Sequence, residues 1–462
     1  MWNWFQPRCP LGTAEKVWVE TRLAWLAERL GSERMIQARV VVPTDEFFPR
    51  QFHGTPDEAE AIFQLLLGSM QIDSGSIRLV VRQDWNHESP LGEYEQGEQA
   101  AVFLNPSQLE DPESLVGTLA HELAHHILLG GGLVQDNNED LERLTDLLPA
   151  FLGLGIFGAN SALREQNLRE GRFSWWSMHK QGYLPMRMHA YGLAVFAWVR
   201  GETHPAWTRH LRPDIAVPQR AGLCYLMKSS DCLISAGALT LPADVPSIAD
   251  CQRRLRDALP SSQYAALGYL QEHGPDAAGL KESVAAMLRD RDRDVACQAA
   301  QVLGAMGQAA ASCAGALHDA LVGRSQPLRV QAAYALAAIG TLHPTILNDL
   351  LHALEGDDRE LAAAAASAIS SCAAGSDAIA PRLLPLLQTA LVKGDDNLIR
   401  QVSVALLSAS ENADQLVQAH FAGASADLRT FAEDCLAEAR HSLAEANEEA
   451  TEEVVGDEPT PA

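Results

Sequence analysis

Apolar residues recur at helical spacing from about Leu11 to Leu30, where Val17, Leu23, Leu26 and Leu30 share a face, Thr13 can cap and Gly31 ends the run. Two short apolar runs, Ala38 to Pro43 and Ser76 to Val81, read as strands, with a helical pattern from Thr55 to Met70 between them. A polar stretch containing Gly92, Gly97 and several acids reads as a loop, and Ala100 to Pro106 as a third strand closed by a turn. Pro112 to Leu129 predicts a long helix stopped by Gly130, Gly131 and Gly132. Asp136 to about Leu154 predicts another helix. Phe173 to Leu241 reads as helical without strands, and Leu184 to Arg200 has Pro185 in its first turn. The pattern predicts an α+β domain over residues 1–244, with an α/β upper half to about 130 and a helical lower half over 131–244.

After about Pro246 the chain turns to alanine- and leucine-rich runs that align with one another at the glycines ending them. Tyr264 to Leu270 ends in Gly274, Val295 to Leu303 in Gly307 and Leu328 to Leu336 in Gly340, while Leu361 to Ile369 and Leu398 to Leu406 continue the series. Between them lie first helices at Lys281 to Leu288, Ala314 to Val322, Thr345 to Leu354 and Arg382 to Val392, so each unit is a pair of antiparallel helices. Glycine and proline interrupt these helices too often for a coiled coil. The runs resemble HEAT repeats of the short bacterial kind, with Asp292, Asp294, Asp357 and Asp358 at turns before second helices. The resemblance implies an all-α HEAT-like solenoid over 245–440 that presents an extended surface to a protein partner.

At 462 residues the chain exceeds what one core holds, which agrees with a division into domains. Its 47% hydrophobic and 21% charged residues are those of an ordinary globular protein, and no run approaches the roughly 20 apolar residues of a membrane span. The segment from Met1 to Cys9 lacks the basic-then-apolar layout of a signal peptide, and the eight cysteines include no C-x-x-C pair, so the expected location is cytoplasmic. With 60 acidic against 35 basic residues the formal charge is −25, which disfavours nucleic acid and anionic membrane as partners. Residues 441–462 carry Glu445, Glu448, Glu449, Glu452, Glu453, Asp457 and Glu458 with no Lys or Arg, and are expected to form a disordered acidic tail.

The chemistry concentrates in the run His121-Glu122-Leu123-Ala124-His125. Four residues are about one helical turn, so His121 and His125 project from one face and can hold one ion through imidazole nitrogens. Glu122, offset by one residue, can lie near a metal-bound water and take its proton as it attacks a carbonyl. His126 points elsewhere and reads as a supporting or surface residue. A catalytic zinc needs a third protein ligand, and Glu139, Asp140 and Glu142 cluster on the next helix. Glu142 is the best placed, because Asp146 lies one turn further on and can accept a hydrogen bond from the free nitrogen of a zinc-bound histidine.

H-E-x-x-H on one helix followed by E-x-x-x-D on the next resembles the gluzincins, the thermolysin-like zinc metallopeptidases. The resemblance implies a zincin-like domain over 1–244 with Zn2+ as cofactor, His121, His125 and Glu142 as ligands, Glu122 as general base and Asp146 orienting a ligand histidine. It implies that the strand Ala101 to Asn105 is the edge along which an extended substrate pairs. It also implies a Tyr or His from the lower half that holds the oxyanion; His179, Tyr183, His189 and Tyr191 are available, and none carries a distinguishing motif.

The expected function is therefore hydrolysis of peptide bonds in a protein or peptide substrate, with the helical repeats binding that substrate or a partner. Two other classes stand beside it: a non-catalytic interaction scaffold with a vestigial zincin domain, and a zinc hydrolase of a non-peptide amide or ester. The intact Glu122 weighs against the vestigial reading, since only an active site needs a base beside the metal.

Overall fold

The computed structural model describes residues 7–48, 51–85, 89–97, 99–161, 184–235, 239–241, 247–340, 343–372 and 379–455. The chain separates into two compact units, Met1–Val245 and Pro246–Ala462, and both are mostly helical.

The first unit opens with α1 (Thr13–Leu30), whose cap is Gly12 rather than Thr13: the Gly12 N–H donates to the Glu15 carboxylate at 3.4 Å. After the short α2 (Ser32–Ile36), residues 38–43 form no strand. Their neighbourhood explains why. The Arg200 guanidinium takes the carbonyls of Met35, Ile36 and Ala38 at 2.8–3.1 Å, and the Val41 N–H donates to the Gly153 carbonyl at 3.0 Å. The backbone groups a strand would offer to a sheet are satisfied by a side chain and a loop instead. Helix α3 (Pro56–Met70) is closed by a reciprocal cap between Thr55 and Glu58.

A three-stranded sheet follows, formed by β1 (Ile77–Val81), β2 (Gly92–Glu95) and β3 (Ala100–Leu104) in the order β1-β3-β2. β1 and β3 are parallel, whereas β2 and β3 are antiparallel with Glu93 opposite Phe103. The strand expected to form the edge is therefore the central one, with Ala100, Ala101, Val102 and Leu104 buried. The edges are β1 and β2, and β2 lies in the stretch read as a loop. Its sequence Gly-Glu-Tyr-Glu has no apolar run, so only its pairing to β3 makes it a strand.

Helix α4 (Pro112–His125) starts on Asp111, which accepts from the backbone of Glu113 and Ser114, and continues into a single π-helical turn at His126–Gly130. Helix α5 (Leu141–Phe151) begins later than the pattern predicts, because Asn138 turns the chain by accepting from the Asp140 N–H at 2.8 Å. Helices α6 (Met186–Val199) and α7 (Pro213–Leu226) pack on each other, and α6 also rests on α1 and α5. Among the described residues this unit has no other sheet, so it is more helical than the α+β expectation.

The second unit is a stack of helix pairs. Helices α11 (Arg293–Ala305), α13 (Gln326–Ile339), α15 (Arg359–Cys372) and α17 (Asp396–Ala409) lie side by side. They are backed by α10 (Lys281–Met287), α12 (Ala314–Leu321), α14 (Pro344–Leu354) and α16 (Ala380–Lys393), and α8 (Ile248–Arg254) and α9 (Pro260–His273) precede them. Gly274, Gly307 and Gly340 hold φ of 46°, 55° and 73° at equivalent places, the left-handed geometry that ends a helix and that glycine adopts without a Cβ clash. Hydrogen bonds between side-chain amides link neighbours, as from Gln301 Nε2 to Gln331 Oε1 at 3.1 Å. After α18 (Ala413–His420), α19 (Ala426–Val455) continues well into the segment expected to be disordered. Its glutamates recur without a helix breaker before Gly456, so a helical backbone is compatible with the acidic composition.

Candidate metal centre

Helices α4 and α5 pack against each other and bring the two motifs face to face. One donor atom from each of His121, His125 and Glu142 lies within 4.8 Å of the others. His121 Nε2 is 3.5 Å from Glu142 Oε2, and His125 Nε2 is 3.6 Å from Glu142 Oε1. Zinc bonds of about 2.0–2.1 Å at tetrahedral angles give ligand-to-ligand distances of about 3.3–3.4 Å, close to the two histidine–carboxylate distances, and a donor set spread over at most 4.8 Å would draw in around such an ion.

The hydrogen bonds behind the histidines settle which nitrogens face inward. His121 Nδ1 is 2.9 Å from Asp146 Oδ1, an acceptor, so Nδ1 carries a proton and Nε2 faces inward. The Thr145 hydroxyl donates its one proton to the Leu141 carbonyl at 2.8 Å and can then only accept from His125 Nδ1 at 3.4 Å. Both Nε2 atoms thus converge on Glu142, where a bound metal would take the place of the proton that His121 Nε2 shares with the Glu142 carboxylate. Asp146 is itself anchored, accepting from the Leu184 N–H at 2.9 Å. Thr145 and Leu184 carry no sequence signal of their own, although Thr145 stands beside Asp146 in the second motif.

Burial pushes the Glu122 carboxyl up to about 7, against the lowering effect of His121, while the Tyr94 backbone N–H donates to it. Burial lowers His125 to about 4. For His121, burial is outweighed by the hydrogen bonds to Asp146 and Glu142, which raise it well above the ordinary imidazole range. The same contacts hold the Asp146 and Glu142 carboxyls below their usual range, although burial alone would raise both.

The other acids on this segment face elsewhere. Asp140 accepts from Trp18 Nε1 at 3.0 Å and pairs with Arg22 at 2.5 Å, and Glu139 is exposed and outside the donor cluster. His126 uses both nitrogens away from the cluster, 3.1 Å from Ser76 Oγ and 3.3 Å from Tyr94 Oη. Of the four oxyanion candidates, His179 and Tyr183 lie outside the described residues. Tyr191 donates to Glu20 at 2.7 Å in the core beside Lys16 and Asp231, remote in role from the donor cluster. His189 is buried within reach of the charges of Asp146 and His121, and burial lowers it.

Sequence reasoning missed the residues of β2. Gly92 sits against α4 so tightly that a Cβ there would be 2.6 Å from Thr118 Cγ2 and 2.9 Å from Glu122 Oε1. The Tyr94 ring lies parallel to the His125 ring, with centroids 6.4 Å apart. The alternation of small or aromatic with acidic residues over Gly92–Glu95 is the signal that a search for short edge strands would have used.

No protein-family model matches the chain, and no curated protein does. Solved structures similar to it include an engineered protein at 11% identity, with 91% of this chain and 98% of that one covered and a TM-score of 0.34. A designed armadillo repeat protein shares 16% identity over 42% of this chain and 99% of its own, with a TM-score of 0.31. A second one, in complex with the peptide (KR)4, has the same identity, coverage and TM-score: 16%, 42% and 99%, and 0.31.

Proposed function

We propose that the first unit is a zinc-dependent hydrolase acting on peptide bonds, with a zincin-like arrangement of its helices and sheet. The observation that carries this reading is the convergence of two Nε2 atoms and a carboxylate, each histidine fixed from behind by Asp146 or Thr145, beside a buried glutamate one residue along the helix. A zinc ion held by His121, His125 and Glu142 would supply Lewis acidity to a water molecule and to the substrate carbonyl. Glu122 would take the water's proton and pass it to the leaving amine, a role suited to a carboxyl poised near neutral pH. Asp146 and Thr145 keep the imidazoles from turning. The edge of β2, which no other described strand covers, runs past Glu122 and would hold an extended chain there, so a peptide suits the site better than a small amide or ester.

A second reading assigns the work to the repeats as a protein-interaction scaffold. It is supported by the side-by-side stack of second helices and by exposed apolar side chains on that unit, Tyr334, Val392 and Phe431 among them. The two readings separate in one experiment. Elemental mass spectrometry on purified wild type should find about one zinc per chain, lost in His121→Ala and retained in Glu122→Gln. Incubation with a diverse peptide mixture should give products with wild type and none with Glu122→Gln. Products that persist in Glu122→Gln refute the base, and a wild type without zinc leaves the scaffold.

A further inference from the structure

The phase of the β2–β3 ladder decides what the free edge offers. The Asn105 N–H donates to the Leu91 carbonyl at 3.0 Å, and the register pairs Glu93 with Phe103 and Glu95 with Ala101. In an antiparallel pair, residues alternate between bonding to the partner and pointing away. Residues 91, 93 and 95 therefore bond inward to β3, and the backbone groups of Gly92 and Tyr94 point to the other side, which among the described residues no strand covers and which is the open side here. The Tyr94 N–H is taken by the Glu122 carboxylate, which agrees with this phase and places the edge at the candidate base, so an added chain would bond to the Gly92 N–H and to the Gly92 and Tyr94 carbonyls.

Side chains alternate between faces along the strand. Gly92 lies against α4, so Glu93 and Glu95 project from the opposite face, and both are exposed. A strand added to the open side places two of its own side chains, two residues apart, directly beside these carboxylates at about 4.5–5.5 Å. Two cations stand on the same face, in β1 and just after it, and Arg82 is the nearer, since Phe103 lies opposite Glu93. Arg78 stands in β1, two strands or about 9.5 Å from β2 and about 14 Å from an added strand. Arg82 lies over the Phe103 ring and is paired with Asp84 at 3.4 Å.

We infer that the open edge of β2 selects extended segments carrying Lys or Arg at alternate positions, read by Glu93 and Glu95. This deepens the hydrolase reading by naming its substrate class, and it rests on that reading only for the cleavage that follows docking. Favourable opposite-charge pairs across strands are worth up to about fivefold in binding each, so two pairs give up to about 25-fold.

The test uses the full chain, treated with chelator so that nothing is cleaved, and fluorescein-labelled ten-residue peptides differing only in alternate Lys, Gln or Glu. Anisotropy should rank Lys above Gln above Glu, with the difference shrinking as salt rises. The ranking should collapse in the Glu93→Gln/Glu95→Gln variant, with circular dichroism unchanged. Equal binding of the three peptides, no binding of any, or a ranking that survives the double variant overturns the inference. Zinc-loaded wild type is then tested for cleavage of the same peptides. Cleavage without charge preference leaves the hydrolase and removes the selection, whereas the full ranking without cleavage keeps the selection and removes the hydrolase.

Discussion

Asp146→Asn isolates the support behind the proposed metal ligands, because it changes none of them and almost no volume. Each carboxylate oxygen has one buried donor: His121 Nδ1 on Oδ1 and the Leu184 N–H on Oδ2, both at 2.9 Å. An amide has one oxygen and one NH2, so whichever way it turns, its nitrogen meets one of those donors. One buried, charge-assisted bond is lost, worth about 1.5–3 kcal/mol. If the oxygen stays on Leu184, His121 is no longer held with Nε2 inward. Zinc affinity should fall 10–100-fold, which is about 1.4–2.8 kcal/mol. The assay is competition against a chromophoric chelator, with Asp140→Asn as control, since Asp140 serves Trp18 and Arg22 rather than a ligand. An affinity within about twofold of wild type, or an equal fall in the control, would falsify the role given to Asp146.

Lys16 is buried between Glu20 at 3.4 Å and Asp231 at 3.6 Å, so Lys16→Met strands two carboxylates and should destabilise the first unit by about 3–5 kcal/mol. Calorimetry should show its transition lowered by roughly 6–20 °C, and a shift under about 2 °C would mean that Lys16 holds nothing together. Gly92→Ala places a methyl 2.6 Å from Thr118 and 2.9 Å from Glu122, so it should cost about 1–3 kcal/mol in urea unfolding; an unchanged midpoint contradicts the close seating of β2. The Glu58 carboxyl is lowered from 4.5 to about 2, first by the Thr55 backbone N–H and also by His53. A depressed carboxyl contributes stability above its unfolded value that is lost as pH falls through the folded one. Wild type should therefore lose more stability than Glu58→Gln between pH 4.5 and about 2, and parallel urea-midpoint profiles would remove the effect.

Much of this protein is legible in its sequence because the signals are local. Residues four apart on a helix share a face whatever surrounds them, so His121 with His125 and Glu142 with Asp146 are each paired by helical geometry alone. The second unit is legible for a related reason: each helix pair repeats its neighbour's pattern, and glycine at the ends supplies a backbone state that other residues resist. What only the tertiary structure decided depends on contacts between distant segments. Spacing to Asp146 already favoured Glu142, but what carries Asp140 away from the histidines is its capture by α1, and the part played by Thr145 follows from where His125 comes to rest. The run Ala38 to Pro43 is not a strand because the Arg200 guanidinium takes its Ala38 carbonyl and the Gly153 carbonyl takes its Val41 N–H, whereas Gly92–Glu95 is one because β3 lies beside it. A four-residue edge strand has too few positions to show a period, and its hydrogen bonds belong to a partner whose position the local pattern does not contain.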